Sequence, residues 1–329
     1  MDCSESLMMQ ATSRRALLLG GASFAAWAYL PKFARAADGR DPRFVTIILR
    51  GALDGLATVA PIGDPDYAGL HGAIALRADG PNAAVMLDPF FGLHPAMPEF
   101  ARMYRAKQAA VVHAVATSYR DRSHFDGQDV LESGFPGPGR VQSGWLNRAL
   151  EALPKGERVT SALAVGPTTP LVLRGAAPTV GWAPTALPQA ADDTAMRLLD
   201  LYQHRDPTLA SALAEFQSGL GARWRDTVIV VATEFGRTAR INGTEGTDHG
   251  TGTIALLAGG AVNGGRMITD WPGLKPANLY QARDLAATTD LRAVIKGVLH
   301  DQFGIGERVL ADAVFPDSAP AKPMKGLVV

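Results

Sequence analysis

Three observations predict an α/β fold, a three-layer sandwich around a mostly parallel sheet. Four short apolar runs rich in β-branched residues are spaced along the chain, helical stretches lie between them, and the joining segments are rich in Gly and Pro. Such runs suit strands buried on both faces, as in a sheet covered by helices above and below. Their alternation with helices is the pattern of the α/β class.

The chain begins with a different kind of segment. Ser13-Arg14-Arg15-Ala16-Leu17-Leu18 is followed by an apolar stretch to Leu30 and then by Ala34-Arg35-Ala36. Paired arginines, a short hydrophobic run and a small-x-small site predict a twin-arginine export signal over residues 1–37, cleaved near Ala36 or Ala37. The apolar run, about fifteen residues, is shorter than the roughly twenty needed to span a bilayer. Met8 or Met9 as the start would leave the signal intact. The expected destination is the periplasm or the exterior, with the twin-arginine translocase as a partner during export. Proteins on that route often fold and load a cofactor first, which raises the expectation of a metal.

Residues 38–329 are expected to form a single domain, since no change of composition divides them. The strands are expected at 44–49, 109–115, 227–232 and 253–257, and the helices at 98–107, 124–132, 195–204, 208–220 and 290–299. The loops at 133–139, 178–188 and 259–265 carry the turn residues. The tail from Phe315, with Pro316, Pro320 and Pro323, is expected to run extended over the surface.

Composition narrows the function. Hydrophobic residues make up 47% of the chain and charged residues 19%, an ordinary globular balance. Thirty-two Lys and Arg against 32 Asp and Glu leave no net field for a polyanion, so nucleic acid is not an expected partner. Cys3, the one cysteine, lies in the leader. A metal site must therefore draw on His, Asp, Glu, Ser or Thr.

Ligands of open α/β sheets bind beyond the carboxyl ends of the strands, and the polar clusters fall there. Asp54 follows the first strand, Arg122-Ser123-His124-Phe125-Asp126 the second, and Thr233-Glu234-Phe235-Gly236-Arg237 the third; Thr247-Asp248-His249-Gly250 precedes the next. If these loops converge, Asp54, His124, Asp248 and His249 offer carboxylate and imidazole ligands for a divalent Zn, Mn, Mg or Ca ion. Each has a plainer reading. Asp54-Gly55 is a common turn pair, and Asp248-His249 between glycines also suits a surface turn.

Ser123 reads as the cap of the helix that starts near His124, and also as a nucleophile awaiting a base or a metal. Arg122 and Arg237 suit an oxyanion, or else structural ion pairs with Asp126 and Glu234. His94 and His113 read as structural histidines.

The motifs Leu49-Arg50-Gly51-Ala52-Leu53-Asp54-Gly55-Leu56, Phe91-Gly92-Leu93-His94-Pro95, Arg122-Ser123-His124-Phe125-Asp126, Gly144-Trp145-Leu146-Asn147-Arg148, Thr233-Glu234-Phe235-Gly236-Arg237-Thr238, Gly246-Thr247-Asp248-His249-Gly250 and Trp271-Pro272-Gly273-Leu274, in this order, resemble the exported bacterial family known as domain of unknown function 1501. The resemblance implies kinship with the alkaline phosphatase and sulfatase superfamily and an alkaline-phosphatase-like fold. It makes Asp54, Asp248 and His249 metal ligands and Ser123 the counterpart of the nucleophile.

One departure stands out. The Trp-Asp-Thr-His strand usual in the family is absent between Leu201 and Trp224, so the domain is shortened near 214–221. The expected function is hydrolysis of a small anionic phosphate or sulfate ester, with Arg122 or Arg237 steadying the charge. The alternative is a non-catalytic protein that binds an envelope partner on a degenerate hydrolase scaffold.

Overall fold

The protein is seen in a computed structural model that describes residues 23–28, 40–139, 142–153, 162–183 and 205–329. The paired arginines, the cleavage site and the helix expected at 195–204 lie outside these residues. No helix among the described residues is long and apolar enough to cross a membrane.

The apolar runs form strands where they are expected. In chain order the strands are β1 (Ser23–Ala28), β2 (Arg43–Leu49), β3 (Val59–Ala60), β4 (Val85–Met86), β5 (Gly92–Leu93), β6 (Ala109–Ala116), β7 (Ala162–Val165), β8 (Thr179–Trp182), β9 (Thr227–Ala232), β10 (Thr253–Ala258), β11 (Arg266–Ile268) and β12 (Thr289–Asp290). The main sheet runs β11-β6-β10-β9-β2-β1-β7-β8, with β12 also beside β6, while β3, β5 and β4 make a small second sheet.

The pairing corrects one expectation. The sheet is evenly mixed rather than mostly parallel: β2–β9, β6–β11, β6–β12 and β7–β8 are parallel, whereas β1–β2, β1–β7, β6–β10 and β9–β10 are antiparallel. Two of the antiparallel pairs follow from the connection before β10. Residues 233–252 hold no helix, and a parallel return needs a crossover, usually helical. The chain instead turns back and lays β10 between β9 and β6.

Alternate residues of each central strand divide between two apolar clusters. Along β2, Phe44 and Ile48 join one, while Val45, Ile47 and Leu49 join the other. The first cluster takes Leu131 of the helix His124–Ser133, Trp145 of the helix Trp145–Ala152, and Val294 and Val298 of the helix Leu291–Phe303. The second takes Phe100 and Met103 of the helix Pro98–Arg105, with Leu209 and Leu213 of the helix Arg205–Leu220. Helices thus cover both faces.

Trp145 anchors the first face. Its ring meets Phe44 edge-on at 5.9 Å and stacks on Phe315 at 5.4 Å, and its indole N–H donates to the Leu131 carbonyl at 3.1 Å. Truncating a side chain buried this way costs about 3–5 kcal/mol.

Two further expectations meet the structure. Where a shortening is expected, the helix Arg205–Leu220 continues through 214–220, and a 3-10 turn over Gly221–Asp226 delivers the chain to β9. The tail is not a surface strap. Phe315, Ser318 and Leu327 are buried, and the Lys296 ammonium donates to the Ser318 and Ala321 carbonyls at 2.8 and 2.9 Å. Prolines forbid regular structure there but not burial, because a buried cation can meet the freed carbonyls.

Candidate functional site

The strand directions bring the polar loops together. β2 and β9 are parallel, and β10 is antiparallel to both β9 and β6, so β2, β6 and β9 end at one edge of the sheet where β10 begins. The segments around 50–54, 117–124, 233–238 and 247–252 meet there.

At the centre stand two histidines and a buried carboxylate. The helix His124–Ser133 starts at the site, capped by the Ser123 hydroxyl, which accepts from the Asp126 N–H at 3.5 Å. His124 Nδ1 lies 2.7 Å from Glu234 Oε1, and His124 Nε2 lies 3.1 Å from His249 Nε2. Glu234 is fully buried and also accepts the Gly51 N–H at 2.7 Å and the Thr233 hydroxyl at 2.8 Å. It fixes the proton of His124 on Nδ1 and turns Nε2 toward His249.

His249 is held from both sides. It bridges Arg237 in antiparallel fashion, and its carbonyl accepts from the Arg283 guanidinium. Burial, then the neighbouring His124 and Arg237, push its pKa below the ordinary histidine value. The ring is therefore neutral at pH 7 and keeps a lone pair to offer. Gly250 follows because only glycine fits, since a Cβ there would fall 2.4 Å from the Arg237 carbonyl.

Asp54 and Asp248 face elsewhere. Asp54 caps the short helix Gly55–Thr58, with Oδ1 accepting the Leu56 and Ala57 N–H groups at 3.1 and 3.0 Å and Oδ2 accepting the Thr247 hydroxyl at 3.0 Å. His71 Nε2 stands 3.6 Å from Asp54 Oδ1, an ion-pair separation too long for a hydrogen bond, while its Nδ1 meets the Ala239 carbonyl at 3.0 Å. Burial opposes the charge on both groups, but their mutual attraction prevails. It lowers the Asp54 pKa and raises that of His71. Asp248 is exposed and accepts from the Asn242 amide at 3.0 Å, so the adjacent Asp-His pair splits between the surface and the site.

The arginines are engaged by the protein itself. Arg122 donates to Asp284 Oδ2 from Nε and Nη2 at 3.0 and 2.7 Å, and to Gln281 at 2.7 Å. Arg237 donates to the carbonyls of Ala52, Gly51 and Thr247 at 3.0, 2.9 and 3.3 Å. The expected partners Asp126 and Glu234 are thus replaced by Asp284 and by backbone. His113 is a structural histidine, fully buried against the Val59 carbonyl at 2.9 Å and pushed down to about 4 by burial.

Sequence reading singled out His124 and His249 but saw Glu234 only as an ion-pair partner for Arg237, and it passed over His71. The signal for Glu234 was its position, a carboxylate two residues past the end of a fully buried strand. Among the described residues, no three His, Cys, Asp or Glu side chains are grouped so as to hold a metal. His124 and His249 supply two nitrogen donors, and Glu234 stands behind the first as an orienting carboxylate.

Fold and site define an α/β protein with a carboxylate-backed histidine pair at the carboxyl edge of its sheet. Residues 192–314 match the family model described as "Protein of unknown function (DUF1501)". The matched segment holds Glu234, Arg237, Asp248 and His249; Asp54, Arg122, Ser123 and His124 precede it. No curated protein and no solved structure matches the chain.

Proposed function

We propose that the protein is an exported, metal-dependent hydrolase of small phosphate or sulfate esters, folded as an alkaline-phosphatase-like three-layer sandwich. The observation that carries this reading is the 3.1 Å approach of His124 Nε2 to His249 Nε2, with Glu234 bonded to the far nitrogen of His124. A histidine whose second nitrogen is held by a carboxylate is the usual form of a metal-ligating imidazole. Two imidazoles favour zinc over manganese, magnesium or calcium, which prefer oxygen donors.

His124 and His249 would hold the ion. Asp54 and Asp248, bonded to other groups in the present arrangement, would have to give up Thr247 or Asn242 to join them. A bound divalent ion would supply Lewis-acid polarisation of the ester oxygen. Glu234 orients His124, and Ser123, one residue from the first ligand, is the nearest hydroxyl in sequence.

The test is the divalent metal content of the folded protein, followed by turnover of chromogenic phosphate and sulfate esters. Roughly one equivalent that is lost in His249→Ala, with turnover abolished by chelator, supports the reading; a folded protein that takes up no Zn or Mn overturns it.

A second reading rests on the arginines. Arg122 grips Asp284 and Arg237 grips backbone carbonyls, which leaves both committed to structure. This favours a protein that keeps the scaffold to bind an envelope partner. Retained fold and metal without turnover on either ester class would decide for it.

A further inference from the structure

The strand β1 comes from the apolar run that the sequence assigns to the export leader. It lies inside the main sheet rather than outside the fold. All six of its residues pair antiparallel with β2, from Ser23 opposite Leu49 to Ala28 opposite Phe44. On its other side Ala26 pairs with Ala164 and Trp27 with Leu163 of β7. Among the described residues β1 is the only strand joining β2 to β7, and β7 otherwise pairs only with β8. Without it the sheet divides into a β11-to-β2 body and a detached β7–β8 pair.

The strands it touches belong to the core. Every residue of β2 is buried, and Ala162 and Ala164 of β7 pack in the same apolar cluster as Phe44 and Ile48. A buried strand stripped of a neighbour exposes a row of unpaired N–H and C=O groups, which costs stability and invites pairing with other chains.

We propose that residues 23–28 are a structural strand of the folded precursor, seated in a slot between β2 and β7, so that folding and export compete for the same six residues. The proposal rests on the leader reading only for its second half. The slot takes one extended, antiparallel segment, and its occupant is the chain's own N-terminal run. Recognition by the translocase, or cleavage near Ala36 or Ala37, then requires this strand to be drawn out of the sheet.

The pairing is tested first in the full chain, independently of stability. Directly opposed residues of an antiparallel pair lie about 4.5–5.5 Å apart, within disulfide reach. In a Cys3→Ser background, Ala26→Cys with Ala164→Cys should cross-link on mild oxidation, whereas Ser23→Cys with Ala164→Cys, three positions out of register, should not. Absence of the first cross-link, or equal yields from both pairs, overturns the proposal.

Hydrogen exchange supplies the second measurement. The amides of β2 and β7 should exchange at least tenfold faster in protein starting at Ala37, or in full-length Ala26→Pro, than in the full chain; unchanged protection in both overturns the proposal. The leader reading is tested separately by fusing residues 1–37 to a reporter and comparing it with Arg14→Lys/Arg15→Lys. A cross-linking strand with no export would leave the structural half standing and remove the competition.

Discussion

His124 and His249, 125 residues apart in the chain, point their Nε2 atoms at each other across 3.1 Å. Two such nitrogens at that distance share either one proton or one cation, because two N–H groups or two bare lone pairs would repel. Glu234 decides which ring gives up its freedom. By accepting a hydrogen bond from the Nδ1–H of His124, it leaves the Nε2 atoms to settle what lies between them.

Glu234→Gln removes the charge while keeping the shape. The amide can still meet some of the Gly51, Thr233 and His124 groups, but the bond to His124 loses its ionic character. Affinity for zinc, measured calorimetrically, should fall about 10–100-fold, as for other carboxylates that orient a ligating histidine. The loss of a buried hydrogen bond to a charged group should lower the urea unfolding free energy by about 1.5–3 kcal/mol.

The pH dependence of the metal-free protein has two opposed limbs. The His249 pKa is lowered on folding, so below about pH 6.5 the unfolded chain binds the proton more readily and stability falls with acid. The His71 pKa is raised by Asp54, so its contribution is complete below about 6.5 and is lost as pH climbs through the folded value. Urea midpoints from pH 5 to 8.5 should show both. His249→Asn should flatten the acid limb and His71→Asn the alkaline one.

Gly250→Ala should damage the site without touching a polar side chain. Its Cβ would collide with the Arg237 carbonyl, which is backbone and has no rotamer to swing away. Displacing it costs about 1–3 kcal/mol. The expected signs are a lowered melting temperature and a shifted His249 imidazole resonance.

Lys296→Met should loosen the C-terminal tail. The methionine fills similar space but leaves the Ser318 and Ala321 carbonyls without their donor. A cost of about 1–3 kcal/mol follows for the unsatisfied groups. Faster hydrogen exchange over residues 318–328, with the central strands still protected, would locate the effect.

Much of the fold was legible because burial on both faces leaves a plain trace. The runs 44–49, 109–115, 227–232 and 253–257 became β2, β6, β9 and β10 with ends moved by no more than a residue. Direction was not legible, since a continuous apolar run reads the same whether its neighbour is parallel or antiparallel, and β10 reversed. The site was legible in its residue types but not in its partners. That His249 turns inward and Asp248 outward follows from the bridge to Arg237, and that His124 meets Glu234 follows from sheet order; neither is a local pattern. Arg122 shows the same limit, because its acceptor, Asp284, lies 162 residues away.

The backbone carbonyls gripped by Arg237 belong to two loops almost two hundred residues apart. That one side chain, in the loop that follows β9, ties the turn after β2 to the turn before β10. Asp54, His124, Glu234 and His249 are therefore far apart along the chain and are brought to one edge of the sheet by strand order alone. The two histidines can thus act as a pair only once the strand order β6-β10-β9-β2 is in place.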